Sequence, residues 1–203
     1  MTELRERASD GRERRRRGRG GADRRAAILD AAIGVIARRG VRGFRVEQVA
    51  EQAGVAVSLL YYYFGSRNGL VRATLDHANE RAATTVQQRA SGRATVEQSL
   101  LAELDAEARD TSVVWGEVLA SAVFEAELRD QLRDAGATWT DLVAAAIAAG
   151  IEDGSIPESV DAHASAERLT ALVDGLSARW LAGVLDRERA CELLAGAIAR
   201  ELA

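Results

Sequence analysis

A chain of 203 residues is long enough for one sizeable core, or for a small domain joined to a larger one, and 47% hydrophobic residues with a single proline and 4% aromatics point to an all-α fold. One cysteine, Cys191, excludes an intramolecular disulfide framework and fits a reducing compartment, and no apolar run approaches the roughly 18 residues that span a membrane, so a cytoplasmic location is expected. The net charge of -4 hides an asymmetry: residues 1–70 hold fifteen arginines against eight acids, net +7, and residues 71–203 hold twelve against twenty-three, net -11. The basic end can neutralise phosphates although the whole chain is acidic.

Residues 1–23 form a polar arm with no helical apolar period and glycines at 18, 20 and 21, so it is expected to be disordered in isolation. Its arginines could follow phosphates or enter a minor groove, or give only non-specific attraction. Over residues 24–39 the residues Ile28, Leu29, Ala32, Val35 and Ile36 make an apolar stripe, which Gly40 should stop; Phe44 should plug the same small core. Residues 46–64 then have the proportions of a helix-turn-helix. Val46, Val49, Ala50 and Ala53 fall at helical spacing, Gly54 can turn without steric cost, and Leu60, Tyr61 and Phe64 resume the pattern. The second of these helices would enter a DNA major groove while the first crosses the phosphate backbone.

Gly65 and Ser66 end that helix and cap a fourth, along which Leu70, Ala73, Thr74, His77 and Arg81 share a face. It joins the basic part to the acidic part and is the natural lever between them. Helices are expected over about 96–110, from Thr111 or Ser112 through Val123, and over about 129–152, closed by Asp153-Gly154 and Ile156-Pro157. Two striped helices follow, one carrying Leu169, Leu172, Val173, Leu176, Trp180 and Val184, the other Cys191, Leu194, Ala195, Ile198 and Leu202.

The stretch RAAILDAAIGVIARRGVRGFRVEQVAEQAGVAVSLLYYYFGSRNGL, residues 25–70, resembles the DNA-binding domain of the TetR family of one-component transcriptional regulators. The likeness runs through ILDAA, the glycine after that helix, Val49-Ala50, Ala53-Gly54-Val55 and the run from Leu60 to Arg67. Leu172-Val173-Asp174-Gly175-Leu176 is similar to the family's penultimate helix. The resemblance implies a homodimer of all-helical subunits with about nine helices each. After the arm at 1–23, it also implies a DNA-binding domain at 24–70 and a regulatory domain at 71–203 that binds a small-molecule effector and dimerises through the last two helices. Double-stranded operator DNA, palindromic and released on effector binding, is the implied partner; the effector stays unnamed.

By position in the motif, Arg45 opens the first helix of the pair, where the family usually has a capping hydroxyl, and could reach a phosphate or a guanine edge. Val57, Ser58 and Leu59 occupy the places of base-facing side chains, a trio with one hydroxyl and two apolar groups. Tyr61 and Tyr63 match phosphate-contacting positions, Tyr62 lies between them, and at least one of these rings is expected to pack in the core. Arg67, at the start of the fourth helix, matches a phosphate-binding basic residue. Leu60 and Phe64 are assigned to the core.

Elsewhere Trp115, Phe124 and Trp139 could line an apolar effector pocket or serve the core, Trp180 belongs with the dimer seam, and Cys191 reads as a small buried residue. Asp76, His77 and Glu80 could be read as metal ligands, but the chain has only two histidines, so neither a metal nor a cofactor is expected. No glycine-rich phosphate loop or serine elbow is present to support an enzyme. An activator and a non-specific architectural DNA binder are the alternatives to a repressor.

Overall fold

The computed structural model describes the backbone of residues 2–87 and 92–203 and the side chains of 21–80 and 92–203. The arm expected over 1–23 lies outside these side chains except for residues 21–23, which belong to α1. Among the described residues there are nine α-helices and no strand, which agrees with the all-α reading: α1 (Thr2–Gly43), α2 (Val46–Ala53), α3 (Val57–Phe64), α4 (Arg67–Gln87), α5 (Arg93–Ala102), α6 (Arg109–Ala122), α7 (Ala126–Glu152), α8 (Ala162–Leu181) and α9 (Arg187–Glu201).

Regular helix in α1 is interrupted at Gly40, φ 67 and ψ 168, where its stop was expected. A side chain there would be strained by the positive φ and would meet the Glu117 carboxylate, whose Oε2 lies 2.6 Å from where a Cβ would stand. The same oxygen accepts the Val41 N–H at 2.9 Å, so α6 holds the turn that leads into α2. Arg67 closes the turn from the other side, its Nε donating to Phe44 O at 3.2 Å and its Nη2 to Val41 O. Val41 O also accepts the Phe44 N–H at 3.4 Å, so the turn is tied from within as well as by Arg67.

Two apolar clusters hold the molecule together. The first gathers Ile28, Leu29, Ile36, Phe44, Val49, Leu60, Leu70 and Leu75 with Val114, Val118 and Leu128, and so unites α1–α4 with α6 and the start of α7. The second gathers Val96, Leu100, Val143, Ile147, Leu169, Val173, Leu194 and Ile198 from α5, the end of α7, α8 and α9. The expected division at residue 70 follows chain order, whereas packing crosses it through α4 and α6. Phe44 and Leu60 are buried as expected.

Several helix boundaries differ from those expected, first among them the start of α1, whose helical backbone begins at Thr2 within the stretch expected as a disordered arm. The helix foreseen over 96–110 ends at Ala102; a 3-10 turn, Ala106–Ala108, intervenes and α6 starts at Arg109. The hydroxyls of Thr111 and Ser112 then sit inside α6 and donate back to Ala108 O, at 2.6 and 3.0 Å, instead of capping it. Val184 lies beyond α8, after Gly183 at φ 70, and is 77% exposed.

Candidate DNA interface and effector cavity

The turn between α2 and α3 is made by Gly54 in the left-handed region, φ 64 and ψ 37, with the Val55 N–H donating to Ala50 O at 3.0 Å. Leu60 anchors α3 into the first core. The outward face of α3 consists of Ser58, Tyr61 and Tyr62, spaced by three and four residues, and Tyr62 is 81% exposed. Val57 and Leu59, expected to face bases beside Ser58, are half-buried against the first core. Their apolar side chains fill the gap between α3 and its neighbours, so only the hydroxyl of the trio is fully presented.

Tyr63 is the ring of the three that packs, lying edge-on to Tyr62 with centroids 5.5 Å apart and next to Phe64 at 6.0 Å. Phe64 is half-buried rather than deep, with the Arg25 guanidinium 5.4 Å above its ring. Arg45 precedes α2 in extended conformation, φ -129 and ψ 138; it is exposed and makes no capping hydrogen bond. Arg67, expected at a phosphate, has two of its N–H groups on the carbonyls of Val41 and Phe44, with its guanidinium 5.6 Å from the Phe44 ring. These bonds clamp the turn before α2.

A cavity of about 80 Å³ lies where the two cores meet. The first core supplies Ala78 and Asn79 of α4 with Ser112 and Trp115 of α6; the second supplies Trp139 of α7 with Val173, Asp174 and Ser177 of α8; Glu103 enters from the end of α5. Burial, with Asp174 facing it, pushes the Glu103 carboxyl up to about 7. Burial likewise raises Asp174 to about 6, and the neighbouring Trp115 side chain partly opposes that rise. Among the described residues Trp115 Nε1 has no well-aligned hydrogen-bond acceptor, although it lies near enough to Asp174 to draw its carboxyl down. The Asn79 amide nitrogen is also out of solvent without a partner among the described residues.

Two of the three aromatics proposed from the sequence therefore meet in one cavity, and the third does not. Phe124 follows the end of α6, is 75% exposed, and lies under the Arg42 guanidinium at 5.6 Å. Glu103, Asp174 and Asn79 were missed. The available signal was an acid inside an apolar stripe, Leu172-Val173-Asp174-Gly175-Leu176, where solvation cannot explain it. His77 bridges to Asp30 of α1 at 3.0 Å, which ties the lever helix to the DNA-binding part. Among the described residues no group of three or more His, Cys, Asp or Glu side chains could hold a metal, and no helix is long and apolar enough to cross a membrane.

Known proteins share this fold. Residues 28–74 match the model for bacterial regulatory proteins of the tetR family, and residues 88–203 match that for the C-terminal part of BetI-type transcriptional repressors. The chain belongs to the TetR family. The HTH-type transcriptional regulator BetI of Burkholderia ambifaria is 30% identical over 169 residues, covering 80% of this chain and 82% of its own. A TetR-family regulator from Rhodococcus sp. superposes with a TM-score of 0.84 at 42% identity, covering 90% of this chain and all of its own. A regulator from Saccharomonospora viridis, solved in complex with choline, gives 0.71 at 26% identity, with 88% and 96% covered. TetR-family proteins are DNA-binding transcriptional regulators and not enzymes, so the enzymatic alternative falls.

Proposed function

We propose that this TetR-family regulator is a homodimeric repressor, released from a palindromic operator when a small cation enters the cavity between its two cores. The observation that carries the reading is the pairing of Glu103 and Asp174 with Trp115 and Trp139 around that cavity. Two carboxyls in one buried space resist ionising together, and a cation relieves both the burial and their mutual repulsion. Indole faces attract cations more strongly than other aromatic side chains, and quaternary ammonium groups are the usual guests of aromatic walls. The choline bound by the Saccharomonospora viridis regulator, a structural neighbour, makes choline the first cation to test.

For DNA, the proposed contacts are Ser58, Tyr61 and Tyr62 on the open face of α3, with Arg45 at the start of α2. Tyr63, Val57 and Leu59 would support α3 from behind, and Arg67 would act on DNA only through the turn it holds. For the dimer, Ala171, Gly175, Ala178 and Ala182 form an exposed stripe of small residues along and just past α8, with Val184 and Leu193 exposed nearby; such a surface suits close helix packing. A dimer places two copies of α3 in successive major grooves, about 34–36 Å apart or a multiple of that. A cation drawn between the cores would shift α4 and α6 against α8 and so change that separation. By linkage, operator DNA must weaken cation binding by the same factor.

Selecting duplexes from a random library with the purified protein, then titrating the bound duplex with choline, tests the reading. A two-fold symmetric site whose complex dissociates on addition of choline is expected. A monomer at micromolar concentration, or equal affinity for every duplex, would contradict it.

A further inference from the structure

The arginine arm leaves the protein at a defined place. A Cβ at Gly21 would stand 3.9 Å from the Tyr63 hydroxyl, and one turn further along α1 the Arg25 guanidinium lies 5.4 Å from the centre of the Phe64 ring. Tyr63 and Phe64 form the last turn of α3, and Tyr63 touches the open Tyr62, so the residues ahead of Gly21 depart beside the recognition helix. The arm's charge is unevenly spread. Residues 1–10 hold two arginines against three acids, whereas residues 12–19 hold six arginines against one acid, Glu13, directly ahead of the domain. General attraction to DNA does not require cations to be gathered next to α3.

We infer that residues 12–19 form a second DNA site, which reads an A·T-rich minor groove bordering the major groove that α3 enters. The inference rests on the seating of α3 proposed above and adds base pairs that α3 does not reach. A minor groove borders the major groove on each side, and the major groove is only about 12 Å wide. Residues 2–20 of α1 span about 28 Å even as helix, at roughly 1.5 Å each, so the neighbouring groove is within reach. A minor groove about 6 Å wide admits extended backbone and not a helix. Gly18 and Gly20 flank Arg19; glycine is the poorest helix former after proline and has no Cβ to hold the backbone off the groove floor. Narrow A·T-rich grooves carry an enhanced negative potential that draws arginine in, and their floor lacks the guanine amino group.

Fluorescence anisotropy with the selected duplex tests this, using the full-length protein and a full-length variant carrying Arg15→Gln, Arg16→Gln, Arg17→Gln and Arg19→Gln. The base pairs bordering the α3 site are made A·T, G·C or inosine·C, the last offering the minor groove of A·T with the major groove of G·C. The wild-type protein should bind A·T and inosine·C borders alike, and about tenfold more tightly than G·C borders. The variant should bind all three alike and keep its preference for the selected site over a scrambled one. Its slope of log affinity against log salt should be shallower by about 2–4. A wild-type protein that groups inosine·C with G·C, or that ignores the border, would overturn the inference, and so would a variant that keeps the wild-type border preference. Equal affinity of the wild-type protein for selected and scrambled sites would overturn the seating of α3 itself, a result distinct from these.

Discussion

The two cores are built differently. In the first, α2 and α3 start from Arg45 and Ala56 with no side-chain cap, and the turn between α1 and α2 depends on long-range partners, Glu117 and Arg67. In the second, α8 and α9 are capped locally: Asp161 accepts the Ala164 N–H at 3.0 Å and Asp186 the Arg189 N–H at 2.7 Å. Arg93 adds bonds to the last carbonyls of α9, with Leu202 O at 2.7 Å, and Arg187 donates to Leu104 O at 2.9 Å. The difference lies in how the helices start: α8 and α9 begin on caps from their own sequence, whereas α2 and α3 begin without one and are positioned by contacts with α4 and α6. A reading head held by outside contacts can be moved by whatever moves them.

The largest test of that contrast is to cut each core in turn. Leu60→Ala and Leu194→Ala each remove a buried side chain and should each lower stability by about 2–5 kcal/mol, measured by chemical denaturation. Hydrogen exchange should accelerate in α2 and α3 for the first variant and in α8 and α9 for the second. Acceleration of all helices in both variants would merge the two cores into one unit.

Next in size is the contact between α6 and the turn. Glu117→Ala removes the acceptor of the Val41 N–H and should lower operator affinity by about 1–3 kcal/mol, while choline binds as before. Glu117→Gln keeps an acceptor oxygen and should restore most of the affinity. If both variants bind operator like the wild type, α6 does not hold the reading head.

A third test uses pH. The folded protein keeps a proton on Glu103 up to about 7 and on Asp174 up to about 6, whereas unfolded carboxyls release theirs near pH 4–4.5. Folded protein therefore binds more protons over this window, and stability without a cation should fall as pH rises from about 4.5 to about 7. On the proposed cation reading, choline should bind more tightly over the same range, as the carboxyls ionise. Thermal melts and calorimetry across pH 4.5–8 would check both, and Glu103→Gln should flatten each trend.

The smallest effects concern caps. Asp186→Ala should cost about 1 kcal/mol of stability, whereas Arg45→Ser, which gives α2 the cap it lacks, should raise stability by a similar amount. The second change should nonetheless weaken operator binding, because it removes a cation from the surface proposed to face DNA. A gain in both properties would mean that Arg45 does not touch DNA.

The helix-turn-helix was legible because its signals are local: Gly40 and Gly54 at positive φ, the burial of Leu60, and Ser66 capping α4 through the Gly69 N–H at 3.0 Å. The side chains that serve it were less so. Arg67 looks from the sequence like a phosphate ligand, and its N–H groups donate to backbone carbonyls 23 and 26 residues earlier in the chain, a pairing that no local spacing announces. Val57 and Leu59 lie in recognition positions but fill space behind them, since an eight-residue helix must bury something to stay attached. The cavity was half legible. Trp115 and Trp139 are large enough to be noticed, whereas Glu103, just past α5, Asn79 on α4 and Asp174 on α8 come from three places that no sequence spacing relates.

The central claim is that a cation between the cores loosens the grip on DNA. Operator affinity measured by fluorescence anisotropy at pH 8, with and without saturating choline, tests it most directly, in the wild-type protein and in the Glu103→Gln, Asp174→Asn double variant. Choline should weaken operator binding at least tenfold in the wild type, on the usual scale of allosteric coupling, and leave the double variant unchanged. Choline that binds the wild-type protein yet leaves its operator affinity as it was would contradict the account.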